Sequence, residues 1–432
     1  MKVLKRIGLG LGVAFIIVLS LIGVLSATRG TPVHSVIVPG ETGAPPAVDD
    51  SLYARTIELH AKTHIEGGNR VEILRNGNET YPRLWKDLAS ATQTITAQMY
   101  YAMPGAVADS LALYLGARAR AGVRVMLLLD AFGASSIEDA WIDSLRATGV
   151  KVQELRPLHW YTLDKAGNRS HVRAIVVDGK IGYTGGFGLA DKWQGNGQLP
   201  EQWRDTNVRF EGPAVMQLQA AFAAGWAEAS GELLTGDLFF PRAAFDSVGP
   251  TVAGLLHTAP TLGSTTAERF LAISVVSARK TLYITNSYFV PDDDFRRMLT
   301  DAAKRGVDVR VLTAGEETDV MMTTYASRAR YEELLTGGVR LYEYNPVMIH
   351  AKTFVVDGLW TSIGTLNFDN RSLALNNESN LVSLDATLAT AMTSMFFDDL
   401  SRSTEIKLEQ FRQRPWHHRL YERGANLLSR IL

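Results

Sequence analysis

Two short stretches bring together residue types able to do chemistry: HVRAIVVDG, starting at His171, and HAKTFVVDG, starting at His350. An imidazole titrates near neutrality, so it can act as a nucleophile or as a carrier of protons. On a strand, residues two apart share a face, so His350 and Lys352 point the same way, as do His171 and Arg173. Each stretch thus sets a nucleophile or base beside a fixed cation. A lone His-x-Lys is more often the wet start of an edge strand. Its recurrence at the same place before the same strand and turn argues for function.

The positioning elements repeat as well. TITAQMYYAMPGAVADSLALYLGARARAGVRVMLLLDAFG, from Thr94, and KTLYITNSYFVPDDDFRRMLTDAAKRGVDVRVLTAG, from Lys280, share one order of parts. Each has an apolar β-rich run closing on aromatics, a proline (Pro104, Pro291), an amphipathic helix ending at Gly-Val, and a second apolar strand. That is a β-α-β unit with parallel strands. Val355-Val356 and Val176-Val177 have buried-strand character, and Asp357-Gly358 and Asp178-Gly179 are turn signals. The two histidines lie about 180 residues apart, a period of duplicated domains rather than of a solenoid. Pseudo-two-fold packing would bring the two histidine strands face to face.

Composition sets the wider frame. The chain has 432 residues, 46% hydrophobic and 21% charged, which fits a packed globular protein of two domains. A net charge of −1 argues against a nucleic-acid partner. There is no cysteine, hence no disulfide, thiolate ligand or thiol nucleophile. Lys2, Lys5 and Arg6 precede an uncharged run from Ile7 to Ala27, roughly the twenty residues that span a bilayer. A cleaved signal peptide is the alternative, though its apolar region is usually shorter. An uncleaved anchor would leave the basic end in the cytoplasm and the body outside, on the periplasmic face of an inner membrane in a bacterium. The expected organisation is an anchor at 1–28, a Gly/Pro-rich extended linker at 29–51, a first domain at 52–245, a second at 246–400, and a basic amphipathic tail at 401–432.

The pattern His-x-Lys-(x)4-Asp resembles the signature of the phospholipase D superfamily, which usually carries two copies per chain. GTLNFDNRS from Gly364, NNESN from Asn376, YFVP from Tyr288 and AKRGV from Ala303 are similar to the bacterial cardiolipin synthase branch, as are Trp203-Arg204-Asp205 and GPAV from Gly212. The likeness runs from about Val71 to Glu409. It implies an α/β fold of duplicated α/β-α sandwich domains with pseudo-two-fold symmetry, and catalysis through a covalent phosphohistidine with no metal or other cofactor. By resemblance, His171 is the nucleophile and His350 the general acid/base, in an order that can be reversed. Lys352 and Arg173 bind the phosphate, and Thr365 and Asn367 add neutral donors. Glu378 bonds the second histidine, His350, and Asp205 holds the corresponding place in the first half. Asp178 and Asp357, seven residues past their histidines, are structural. Two departures stand out: Arg173 replaces the family lysine, and Gly188 stands where the family commonly has Asn.

The leading expectation is a phosphatidyl transferase that joins two phosphatidylglycerols or exchanges phospholipid head groups at a membrane. Its alternatives are a phospholipase D hydrolase, a superfamily nuclease and a non-catalytic tethered binding protein. Tyr100, Tyr101, Tyr288 and Phe289 are read as pocket rim or core, and Asp319 lies near the site by resemblance. The tail around His417-His418 is read as a helix on an anionic membrane or one packed on the body.

Overall fold

The computed structural model describes residues 10–20, 23, 33–37, 45–157, 167–259 and 265–428. The first half contributes strands β1 (Glu66–Arg75), β2 (Thr94–Met99), β3 (Arg124–Asp130), β4 (Lys151–Leu155), β5 (Arg169–Ser170), β6 (Ala174–Val177), β7 (Ile181–Gly185) and β8 (Thr206–Glu211). The second contributes β9 (Thr251–Thr258), β10 (Thr281–Asn286), β11 (Asp308–Ala314), β12 (Arg340–Tyr344), β13 (Lys352–Val356), β14 (Trp360–Gly364), β15 (Asn376–Leu384) and β16 (Ser403–Ile406). They form one sheet in the order β16-β12-β11-β10-β13-β14-β15-β9-β1-β8-β7-β6-β2-β3-β4, with β5 joined to β15. Around the antiparallel β9–β1 seam the order reads almost the same outward in both directions, so the duplication is visible in the topology.

The two β-α-β units expected from sequence are present. β2 and β3 are parallel and joined through the helix Ala106–Arg120, and β10 and β11 are parallel and joined through the helix Asp293–Lys304. All six residues of β2 are buried, as a strand covered on both faces requires. Ile95, Ala97 and Met99 pack with Leu111 and Leu115 on one face, while Met126 and Leu128 of the neighbouring β3 meet Phe222 and Trp226 of the helix Ala214–Ser230 on the other. The second half repeats this: Leu282 and Ile284 pack with Phe270 and Phe295, and Tyr283 stacks on Phe396 of the helix Ala386–Ser401 at 5.1 Å. Helices therefore cover both faces, which is the expected α/β-α sandwich.

Each histidine motif ends in a tight turn. Asp178 and Gly179 have φ of 52° and 62°, and Asp357 and Gly358 have 50° and 67°, the left-handed pair of a type I′ turn. Lys180 N–H donates to Val177 O, and Leu359 N–H to Val356 O. The aspartate carboxylates clip the entrance to the adjacent strand. Asp178 accepts the backbone N–H groups of Thr92, Gln93 and Thr94, and Asp357 those of Arg279, Lys280 and Thr281. Both face away from the histidines.

Three terminal features refine the expected boundaries. Part of the 29–51 linker lies on the second half: Val33 and Val36 pack against its core, Val48 is buried, and His34 Nδ1 sits 2.6 Å from Asp294. Apolar side chains in that stretch, which its Gly/Pro content masks, account for the docking. Sheet structure continues past residue 400, since β16 pairs antiparallel with β12. The helix Trp416–Leu428 buries Ala425 beside Val290 and Ala326, and its buried Glu422 bonds Arg414 at 2.6 Å, while Trp416, Leu420 and Tyr421 stay exposed. Residues 10–20 are helical, but most of the expected Ile7–Ala27 span lies outside the described residues. Among the described residues, no helix is long and apolar enough to cross a membrane.

Candidate active site

The two histidines meet where the halves exchange backbone contacts. β5 runs parallel to the start of β15, and His171 N–H donates to Asn377 O at 2.9 Å. The mirror-image contact joins Arg204 and Ile349, and His350 N–H donates to Arg204 O at 2.7 Å. Each histidine is thereby docked on the residue just before the other half's carboxylate.

That docking sets the pairing of side chains. His171 Nδ1 lies 2.8 Å from Glu378 Oε2, and His350 Nδ1 lies 2.9 Å from Asp205 Oδ2. The arrangement corrects the sequence expectation, which gave Glu378 to His350 and Asp205 to His171. The physical reason is the inter-half backbone pairing, which places each carboxylate opposite the foreign ring. All four groups are buried. A carboxylate at Nδ1 fixes the proton there and turns the Nε2 lone pair toward the site.

The surrounding charges differ between halves. Lys352 Nζ is 2.8 Å from His350 Nε2 and 2.6 Å from His350 O. Arg173 instead reaches His171 O through Nη1 at 3.4 Å, and its buried Nε has no hydrogen-bond partner among the described residues. His171 Nε2 receives no hydrogen bond among the described residues, and Tyr100 stands edge-on to its ring at 5.0 Å. Burial pushes the His171 pKa down to about 4 against the opposing pull of Glu378, and it holds His350 well below its usual value, helped by Lys352 and Arg173. Burial also brings Lys352 down to about 7, and it raises Asp205. Burial thus favours the neutral form of both imidazoles at pH 7, with the side chains of Arg173 and Lys352 buried beside them.

The remaining expected residues surround this centre. Thr365 is buried, and its Oγ1 accepts the N–H of Ser379 at 2.8 Å. Asn367 is buried with Oδ1 unpartnered. At the first-half counterpart of Asn367, Gly188 lies under Trp193: a Cβ there would come within 2.7 Å of the indole. Trp193 Nε1 in turn donates to Asp205 at 2.8 Å. An indole thus occupies the space that a side chain at 188 would enter, and it supports the carboxylate paired with His350. Tyr288 lies at the rim, its hydroxyl 2.7 Å from Asp319, whereas Phe289 is core. Tyr101, the counterpart of Tyr288, bonds Lys192 Nζ at 2.9 Å.

Sequence reasoning missed Lys192 and Trp193, because the repeat has no counterpart for them in the second half. It also missed two supports. Asp130 accepts the Ser170 N–H at 2.9 Å just before His171, and the buried Arg204–Asp399 pair, at 2.7 Å, anchors the residue before Asp205.

The family model described as "Cardiolipin synthase, PLD-like domain" matches residues 84–226 and 272–400, most of both halves of the sheet. The chain belongs to this family. A cardiolipin synthase of Geobacillus kaustophilus is 34% identical over 366 residues, covering 84% of this chain and 72% of that protein. Cardiolipin synthase A of Pseudomonas syringae pv. syringae is 31% identical over 409 residues, 92% of this chain and 84% of its own. Among solved structures, phosphatidylserine synthase of Haemophilus influenzae superposes with a TM-score of 0.66 at 12% identity, over 88% of this chain and all of the other, which shows a shared fold.

Proposed function

We propose that the protein is a phosphatidyl transferase of the cardiolipin synthase type, working through a phosphohistidine on His171. The observation that carries this reading is the pair of buried imidazoles contributed by duplicated strands, each with Nδ1 tied to a carboxylate of the opposite half. That pairing leaves two Nε2 atoms for chemistry beside Arg173 and Lys352, one for attack and one for proton transfer. His171 is the attacker because its Nε2 is unoccupied, while His350 Nε2 is engaged by Lys352.

In the first step, His171 Nε2 gives its electron pair to the phosphorus of phosphatidylglycerol. The bond from phosphorus to the head-group glycerol breaks, and its oxygen takes a proton from the Lys352–His350 pair, which shares one across the 2.8 Å contact. In the second, a hydroxyl of another phosphatidylglycerol gives its proton to His350 and bonds to phosphorus. The N–P electron pair returns to His171. Two phosphatidylglycerols become one cardiolipin and one glycerol. Arg173, with its unpartnered Nε, together with Lys352 and Asn367, receives the charge that builds on the non-bridging oxygens. Phosphatidic acid forms when water replaces the acceptor. The Ile7–Ala27 segment holds this site at the bilayer with the body on the periplasmic side.

Full-length protein in detergent, incubated with phosphatidylglycerol, is expected to release glycerol and form cardiolipin, and acid-labile phosphate is expected to be trapped on His171. Absence of cardiolipin together with absence of any head-group exchange refutes the reading.

A further inference from the structure

Beside His350 stands an aromatic cage with an occupant. Lys192 Nζ lies 3.8 Å from the ring centroid of Trp203, 4.2 Å from that of Tyr101 and 5.2 Å from that of Trp193. Among the described residues its one hydrogen bond goes to the Tyr101 hydroxyl at 2.9 Å. Aromatic faces converging on an ammonium form the arrangement that binds quaternary ammonium ligands. The same two indoles face the catalytic ring, with Trp203 at 5.1 Å and Trp193 at 5.3 Å from His350. Lys192 is close enough to be among the cations that depress His350. It has no repeat counterpart: at the equivalent rim of the second half, Tyr288 bonds the carboxylate of Asp319 instead.

We propose that Lys192 selects the acceptor alcohol, filling the cage that a cationic head group would otherwise enter and offering an ammonium to the phosphate of an anionic lipid. The proposal rests on the transferase reading above and adds to it the residue that selects the acceptor. The acceptor hydroxyl must reach His350 to lose its proton. In phosphatidylglycerol that hydroxyl is three carbons from the lipid's own phosphate, roughly 5 Å at ordinary bond lengths. Its phosphate therefore falls in the neighbourhood of the cage, where Lys192 attracts it. Choline or ethanolamine would bring a second cation to an occupied, positively charged place. The transferred group and the bonds exchanged are those of the second step above: oxygen–phosphorus forms, His171 nitrogen–phosphorus breaks, and the proton passes to His350.

The test uses the full chain reconstituted in phosphatidylglycerol vesicles with choline added to the water. The readout is the ratio of cardiolipin to phosphatidic acid, together with any phosphatidylcholine. Phosphatidic acid reports a folded enzyme that still forms the phosphohistidine. Lys192→Ala and Lys192→Met are expected to lower the ratio about tenfold, the scale of one desolvated cation contact, and Lys192→Arg to restore most of it. Only Lys192→Ala, which empties the cage, should gain phosphatidylcholine. An unchanged ratio with no phosphatidylcholine overturns the proposal, as does a parallel fall of both products in the Ala and Met variants. Wild-type protein that makes neither cardiolipin nor phosphatidic acid overturns the transferase reading, and this proposal with it.

Discussion

The crossed pairing of histidines and carboxylates makes a prediction that a same-half pairing would reverse. Glu378 lies in the second half but bonds His171, so Glu378→Gln should disable the attacking group. A charge-assisted hydrogen bond in a buried site is worth about 1.5–3 kcal/mol, or roughly ten- to two-hundredfold in rate. The amide adds a second injury, since it can donate to Nδ1 and leave the proton on Nε2, where attack is needed. An inverted tautomer of this kind costs on the order of 10⁴ in a comparable triad. Asp205→Asn should instead impair His350, which is needed to protonate a poor leaving group. The assay is a rapid-quench burst with a phosphodiester bearing a nitrophenolate leaving group, which departs without general acid help. Asp205→Asn is expected to show a burst of nitrophenolate and accumulated phosphoenzyme, followed by slow turnover. Glu378→Gln should show no burst. The opposite pattern, with a burst in Glu378→Gln and none in Asp205→Asn, would refute both the assignment of His171 as nucleophile and the reasoning from the crossed bonds.

Three further outcomes follow from the site. Lys352 must be protonated to hold phosphate and to share its proton, and burial brings it down to about 7. kcat/KM should therefore fall with rising pH through about 7, and Lys352→Arg should move that alkaline limb beyond the measurable range. Folding stability should fall as pH drops from 6.5 toward 4: the unfolded chain gains a proton on His171 throughout that window, while the folded protein does so only near its depressed pKa of about 4. Denaturant melts at several pH values should give a loss of about 3 kcal/mol from this residue, attenuated in His171→Gln. Gly188→Asn, which restores the common family residue, should destabilise the protein by about 1–3 kcal/mol, because its side chain would enter the Trp193 ring. Pairing it with Trp193→Ala should recover part of the loss in a double-mutant cycle.

The duplication and its elements were legible because they follow from local rules. Apolar runs such as Ile95–Met99 and Leu282–Asn286, the Gly-Val helix ends and the Asp-Gly turns each specify their own conformation. Both histidines and both cations were visible for the same reason, and the two carboxylates through the resemblance to the phospholipase D superfamily. The pairing between them was not. It is decided by backbone contacts between Ser170 and Asn377, and between Arg204 and Ile349, which are far apart in sequence and leave no periodic trace. Gly188 likewise reads in sequence as a missing donor. Only packing reveals Trp193 as the group that takes its place, because nothing in the second half marks that position.

The pairing also explains why asymmetry gathers where it does. Each histidine takes its orienting carboxylate from the other half, so within the assembled pair the loss of one partner would leave the other buried and unpaired, at several kcal/mol for a charge. The four crossed groups are therefore bound to remain together. Groups outside that square are free to diverge, and they do: lysine against arginine beside the rings, Asn367 against Gly188 and its indole, Tyr288 with a carboxylate against Tyr101 with an ammonium. These differences leave one imidazole with a bare Nε2 and give the other a lysine to share its proton. The asymmetry that the proposed division of labour requires, one side attacking phosphorus and the other handling the proton, thus lies outside the crossed square and not within it.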